Sequence, residues 1–227
     1  MKIVALTGAG ISQPSGLATF RDAGGLWEGS RIEEVASPAG WRQQSQRVLD
    51  FYNARRSQLA TVAPNAAHLA LAAWQETHEV VVVTQNVDDL HERAGSRNVL
   101  HLHGQLTEAR STRDERWIKH IGYAPIKLGD CCPLGGQLRP NIVWFGEAVP
   151  NLLLAQNEVT SADAVLVIGT SLQVYPAAGL TEFARPDALR ILVDPRPDRV
   201  PRGYRTITAS AEVGVPSLTA YFNGKVA

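Results

Sequence analysis

The stretch Ile3 to Arg21, IVALTGAGISQPSGLATFR, constrains this chain more than any other. Its apolar run leads straight into a glycine-rich turn, and a polar loop then ends in an aromatic residue and an arginine. A short continuous apolar run bounded by glycine is the pattern of a parallel strand buried on both faces. Gly8 and Gly10 follow where the first strand of a nucleotide-binding sheet turns and lets backbone N–H groups approach a pyrophosphate at a helix N-terminus. The third glycine is Gly16 rather than the residue three after Gly10, so the spacing is not the dehydrogenase fingerprint. On this stretch alone, a ligand-free strand-to-helix turn is an equal reading.

Bulk properties narrow the class. At 227 residues the chain can form one full core with a smaller companion lobe. Lys plus Arg number 22 and Asp plus Glu number 22, so there is no whole-protein field for nucleic acid or an anionic membrane, and neither partner is expected. No apolar run approaches the roughly 20 residues of a membrane span, and a strand begins where a signal peptide would need its own pattern. A cytoplasmic protein is expected. The two cysteines, Cys131 and Cys132, are adjacent, which disfavours a disulfide and cannot alone build a tetrahedral zinc site. The composition leaves the oligomeric state open.

Along the chain, the glycine-rich DAGGLWEG after Arg21 reads as a lid beside a cofactor site or as a surface loop pinned by Leu26 and Trp27. Helical spacing over Gln46 to Thr61 puts Val48, Phe51 or Tyr52, Arg55 and Leu59 on one stripe. A guanidinium on an apolar stripe needs a partner, either an internal carboxylate or a ligand carboxylate. A second helix, Ala66 to Glu76, is expected with Asn65 as N-cap and with Leu69, Ala70, Ala73 and Trp74 buried. EVVVVT, Glu79 to Thr84, is a second buried strand, and Gln85, Asn86 and Asp88 lie beyond its carboxyl end, where open α/β sheets meet their ligands. Their amides and carboxylate suit a carboxamide such as nicotinamide, although turn capping explains one or two of them.

A short strand, Val99 to Leu102, runs into HLHGQL. His101 and His103 alternate across it, so one of them can enter a cleft, and Gly104 leaves room beside His103. Residues 106–140 break the α/β rhythm and read as an inserted lobe. NIVWFGE is the next expected strand, followed by a helix to about Ser161 and a strand from Asp163 to Thr170 ending in a Gly-Thr-Ser turn suited to phosphate or ribose. Strands Arg190 to Asp194 and Tyr204 to Thr208 close the pattern, with Asp194 either a ribose ligand or a loop cap.

Five motifs then stand in order: GAGIS at Gly8 to Ser12 with Ser15, Gly16, Phe20 and Arg21; TQNVDDLH at Thr84 to His91; HG at His103 and Gly104; RPNIVWFGE at Arg139 to Glu147; GTSLQVYPA at Gly169 to Ala177. Over nearly its whole length the chain resembles the sirtuins, NAD-dependent protein deacylases. The resemblance implies an α/β fold with a large Rossmann-like part, approximately residues 1–30, 75–105 and 141–227, and a small lobe from insertions at approximately 31–74 and 106–140.

NAD would lie across the sheet, with its pyrophosphate over Gly8, Ala9 and Gly10 near Arg21, and its nicotinamide by Gln85, Asn86 and Asp88 under Phe20. Gly169, Thr170 and Ser171 would hold phosphate and ribose, and Asp194, where the family usually has Asn, the ribose hydroxyls. His103 and Asn86 are the implied catalytic residues: His103 acts as general base on the ribose hydroxyls after the acyl oxygen has displaced nicotinamide, and the products are nicotinamide, O-acyl-ADP-ribose and free lysine. An acylated-lysine peptide would pair with Val143, Trp144, Phe145 and Gly146 and with the loop carrying Val174 and Tyr175.

Tyr52 and Arg55 match the Tyr-x-x-Arg pair that reads the carboxylate of succinyl, malonyl and glutaryl groups in one sirtuin class, and Ala23 matches the small residue that enlarges its acyl pocket. The family's two C-x-x-C pairs are reduced here to Cys131, with Leu134 in place of its partner, so the resemblance departs at the zinc site and no metal is expected. The lobe would then rest on Trp117, Ile118, Ile121, Ile126 and Leu128. Mono-ADP-ribosyl transfer or NAD hydrolysis in the same cleft is the alternative, and a non-enzymatic NAD sensor a third.

Overall fold

The computed structural model describes residues 1–17, 26–27 and 30–224. Phe20, Arg21, Ala23 and most of the glycine-rich loop lie outside the described residues. In chain order the strands are β1 (Lys2–Thr7), β2 (Leu26–Trp27), β3 (Ser30–Arg31), β4 (Glu79–Thr84), β5 (Val99–His101), β6 (Gly104–Ser111), β7 (Ile118–His120), β8 (Leu138–Ile142), β9 (Ala164–Ile168), β10 (Leu189–Val193) and β11 (Arg205–Ile207). The helices are α1 (Ile32–Val35), α2 (Pro38–Leu59), α3 (Ala66–Trp74), α4 (Leu90–Arg93), α5 (Leu152–Ser161), α6 (Ala211–Ser217) and α7 (Thr219–Asn223).

Six strands form one parallel sheet in the order β11-β10-β9-β1-β4-β5. β1 and β4 are apolar on both faces because each face meets its own core. Ile3, Ala5, Val80, Val82 and Leu166 pack with α3 and Phe222, while Val4, Leu6, Val83, Val165 and Val167 pack with Ala155, Val159 and Leu180. The strand order reverses between β1 and β9, and a crevice beyond the carboxyl ends at such a switch point is where α/β sheets bind ligands.

α3 starts where the sequence places it. The Asn65 side chain accepts from Ala67 N at 2.9 Å, and His68 Nδ1 accepts in return from Asn65 N at 3.3 Å, a reciprocal cap. Its buried face, however, is Ala67, His68, Leu71 and Trp74, and Leu69 is 53% exposed. The residues that face β1 and β4 are set by how the helix lies on the sheet, which rotates the stripe away from Leu69 and Ala73. This helix packs on the parallel sheet rather than in the small lobe expected to extend to residue 74.

α2 begins eight residues before the expected start, because Ser37 caps Gly40 N at 3.0 Å and Pro38 occupies the first turn; Gln44, at φ −144 and ψ 56, interrupts it. Val48, Tyr52, Arg55 and Leu59 are buried along it, as the spacing predicts, together with Leu49 and Arg56.

The inserted lobe is a three-stranded antiparallel sheet, β7-β6-β8. It starts at Gly104, whose φ of +80 and close approach to the Asn141 carbonyl exclude any side chain. The expected strand NIVWFGE pairs only as far as Ile142. Beyond it the Glu147 carboxylate captures the Trp144 N–H at 2.8 Å, so Val143 to Glu147 fold into a turn and leave the ladder.

Of the residues expected to hold this lobe, Ile126 is buried and Ile121 packs beside it, but Ile118 and Leu128 are exposed. The rest of the support comes from α2. Asn53 Nδ2 donates to Ile126 O at 2.8 Å and Asn53 Oδ1 accepts from Ile126 N at 2.9 Å, so one side chain imitates a strand edge. Arg56 Nε donates to Leu106 O at 2.6 Å and its Nη1 to Asn53 Oδ1 at 2.8 Å. Among the described residues, no cluster of three or more His, Cys, Asp or Glu could hold a metal ion, and no helix is long and apolar enough to cross a membrane.

Candidate active site

The carboxyl ends of β1 and β9 interlock. Gly8 N donates to Ile168 O at 3.0 Å and Gly10 N to Gly169 O at 2.8 Å. A Cβ on Gly10 would stand 2.7 Å from Gly169 Cα, and one on Gly169, at φ +58, would stand 2.5 Å from Ile11 N. Backbone-on-backbone packing therefore demands these glycines, independently of any ligand. The Gly8 and Gly10 N–H groups are occupied within the turns, and of the three residues expected under a pyrophosphate it is Ala9 whose N–H enters none of these turn bonds.

The loop after β4 is tied to both turns. Asn86 Nδ2 donates to Gly8 O at 3.2 Å and to Ser12 Oγ at 3.1 Å, and Ser12 Oγ donates to Asp88 Oδ2 at 2.9 Å. Gln85 Nε2 donates to Thr170 Oγ1 at 3.1 Å. The fold thus brings Gly8, Gln85, Asn86, Asp88 and Thr170 together, with Ser12 joining them. Burial pushes the Asp88 carboxyl above the usual carboxylate range, against the opposing hydrogen bonds from Leu90 N–H and the Ser12 hydroxyl. Ser171 follows half-buried, and Leu172 takes φ 56, an uncommon left-handed conformation for a branched residue, with its N–H on Thr170 Oγ1 at 3.2 Å. Asp194, at the tip of β10, is buried and accepts from Arg196 N at 2.8 Å, so one of its oxygens caps its own loop.

His103 lies between β5 and β6, half-buried, with Nδ1 3.0 Å from Gln85 O. A carbonyl can only accept, so the proton sits on Nδ1 and the lone pair on Nε2. Burial lowers its pKa, the Gln85 bond opposing, which keeps the ring a neutral base at neutral pH. His101 is buried, with Nδ1 on Asn86 O and Nε2 on Glu92.

A second group surrounds α2. Tyr52 is fully buried, and its hydroxyl accepts from Trp144 Nε1 at 3.0 Å. Burial raises its pKa, with the Trp144 bond and the Arg139 and Arg55 charges opposing. Arg55 is buried one turn further along α2. Trp144 is itself held from both sides. The Arg139 guanidinium lies 3.3 Å over its ring and pairs with Glu147 at 2.7 Å, and Arg110 adds a further bond to Glu147 at 2.9 Å. Val143 N donates to His103 O at 2.9 Å, joining this group to the strand-end cluster. Phe145, Gly146, Val174 and Tyr175, expected along a peptide, are exposed.

Sequence reasoning missed the Arg139–Glu147 pair, although both ends stand in RPNIVWFGE, and it missed the buried Arg56. Arg56 has only carbonyl acceptors, and burial lowers its pKa to about 10.

A six-stranded parallel sheet with its switch point at β1, interlocked glycine turns and an antiparallel insert defines a Rossmann-type nucleotide-binding α/β protein. The pattern of the Sir2 family matches residues 8–176, and the chain belongs to that family, the sirtuins. It is 53% identical over 215 residues to an NAD-dependent protein deacylase of Helicobacter pylori strain J99, covering 92% of this chain and 90% of that protein. It is 48% identical over 223 residues to an NAD-dependent protein deacylase of Bacteroides thetaiotaomicron, covering 95% of each. The crystal structure of a Sir2 homologue in complex with NAD superposes with a TM-score of 0.89 at 38% identity, over 100% of this chain and 91% of that one.

Proposed function

We propose that this protein is an NAD-dependent protein-lysine deacylase that works in the cytoplasm on acylated-lysine proteins or peptides, and that it accepts acidic acyl groups, succinyl and malonyl, as well as acetyl. The observation that carries the reading is the Nδ1–H bond from His103 to Gln85 O, which leaves Nε2 as a base beside the strand-end cluster.

The residues present fit NAD. Ala9 N–H, Thr170 and Ser171 offer donors at the two turns, Asp194 an acceptor at the tip of β10, and Asn86 and Asp88 amide and carboxyl groups for a carboxamide. NAD held there would supply a C1′ centre able to lose nicotinamide and accept the acyl oxygen. His103 Nε2 would take a ribose hydroxyl proton, and its burial keeps the ring neutral and so able to accept one. Asn86, held by Gly8 and Ser12, stays in one orientation. Val143 to Gly146 and the Val174–Tyr175 loop would flank the substrate peptide, and Tyr52 with Arg55 would read an acyl carboxylate, Arg55 through a charge-assisted fork. Phe20 and Arg21 for the cofactor, and Ala23 for the acyl group, are included in the proposal on the motif match alone. The small lobe needs no zinc in this reading, because Asn53 and Arg56 of α2 hold its backbone.

Acetyl-, succinyl- and malonyl-lysine peptides incubated with NAD test this, following nicotinamide, deacylated peptide and O-acyl-ADP-ribose together. All three products are expected, with the acidic acyl groups favoured. Nicotinamide without deacylated peptide would leave NAD hydrolysis or ADP-ribosyl transfer as the activity.

A further inference from the structure

The two histidines of HLH bind successive carbonyls of one loop. His103 Nδ1 lies 3.0 Å from Gln85 O, and His101 Nδ1 lies 3.1 Å from Asn86 O. The remaining nitrogen of His101, Nε2, is 2.7 Å from Glu92 Oε1 of α4. Both partners of His101 are acceptors, and a neutral imidazole has one N–H, so only the doubly protonated ring satisfies both. The ring is buried, and a buried cation needs a hydrogen-bonded counterion, which Glu92 provides.

The surroundings agree. Asp88, in the same loop, adds a second negative group, while His91 and His68, from α4 and α3, are held neutral by burial. Burial alone would lower the pKa of His101; Glu92, the Asn86 carbonyl and Asp88 outweigh it and raise it. From the other side, Asn151 leaves the amides of its own helix uncapped and donates Nδ2 to His101 O at 2.9 Å, which fixes the strand that carries the ring.

We propose that His101, as a doubly donating ring held by Glu92, is a positioning residue for the nicotinamide end of the cofactor site: it fixes the Asn86 peptide and so the placement of the Asn86 and Asp88 side chains. The proposal rests on the deacylase reading for its functional consequence and on the hydrogen-bond pattern for the charge state. Loss of the clamp frees the loop that receives the carboxamide, so it weakens NAD and leaves the acyl peptide unaffected.

The full chain with 15N-labelled histidine, together with the variants His101→Gln, Glu92→Gln and Glu92→Asp, tests it. In a pH titration the wild type is expected to show one ring that keeps both nitrogens protonated to higher pH than an unperturbed imidazole. That signal is absent in His101→Gln and, in Glu92→Gln, loses its proton at lower pH. The KM for NAD at pH 8 rises about tenfold in His101→Gln and Glu92→Gln, on the scale of one charged hydrogen bond, while the KM for acyl peptide holds and Glu92→Asp recovers most of the loss. A wild-type His101 that loses its second proton no later than an unperturbed imidazole, an unchanged KM for NAD, or equal rises for NAD and peptide with a lowered melting temperature would each overturn it. If the wild type forms no deacylated peptide, the deacylase reading fails instead, and NAD affinity by calorimetry, with the same spectra, still decides the role of His101.

Discussion

The Tyr52 hydroxyl accepts a hydrogen bond from the Trp144 indole N–H at 3.0 Å, across 92 residues of chain, with both side chains buried. The bond fills one acceptor site on the hydroxyl and ties α2 to the turn that follows β8. Arg139 stacked on the indole and Glu147 on its backbone N–H keep Trp144 in place.

Arg55→Met is therefore expected to raise the KM for succinyl-lysine peptide by about tenfold to a hundredfold, the range for a lost charge-assisted bond, with acetyl-lysine peptide little changed. Tyr52→Phe should act in the same direction with a smaller effect. Steady-state kinetics on matched peptides decide it, and equal losses on both would make Arg55 structural.

His103→Ala is expected to reduce deacylation by about a hundredfold to ten-thousandfold with the fold retained, since a general base contributes that much. Because burial lowers the pKa of His103, the acid limb of the wild-type rate profile should fall below the usual imidazole value of about 6.5. Initial rates from pH 5 to 8, with circular dichroism of the variant, check both.

Acid should destabilise the protein through His68. Burial holds its pKa at about 4, and in the unfolded chain the ring titrates near 6.5. The unfolded state thus takes up the proton first, and stability present above pH 6.5 is lost as pH falls toward 4, by about 3 kcal/mol from this one group. His91, also lowered by burial, adds in the same direction. His101 acts oppositely, since its pKa is raised: its contribution is complete below about 6.5 and fades as pH rises through its folded value. Urea unfolding at pH 7.5 and pH 5 should show a steeper acid loss in the wild type than in His68→Gln.

The small lobe should depend on α2 and not on a metal. Asn53→Ala strands both the N–H and the C=O of Ile126 and is expected to cost about 2 to 4 kcal/mol, measured by denaturant unfolding. A chelator should leave the melting temperature unchanged, and elemental analysis of tag-free protein should find no stoichiometric zinc.

The sequence alone was enough for what local periodicity and strand-end chemistry control. It placed β4 residue for residue, the core of β1, the Asn65 cap and the cluster of Gln85, Asn86 and Asp88 beyond a carboxyl end. Those features follow from side-chain alternation and from backbone groups that must be satisfied nearby. Tertiary packing decided the rest. Which side of α3 is buried depends on the sheet beneath it, and the end of β8 on the carboxylate of Glu147, beyond its last residue, Ile142. Gly10 and Gly169 are required by each other across the two turns, a contact that neither motif contains by itself. The pairing of His101 and His103 with consecutive carbonyls likewise exists only once β5 lies beside β4. Spacing along a chain sets which residues can share a face; the partners that fix charge, tautomer and orientation come from elements brought together by the fold.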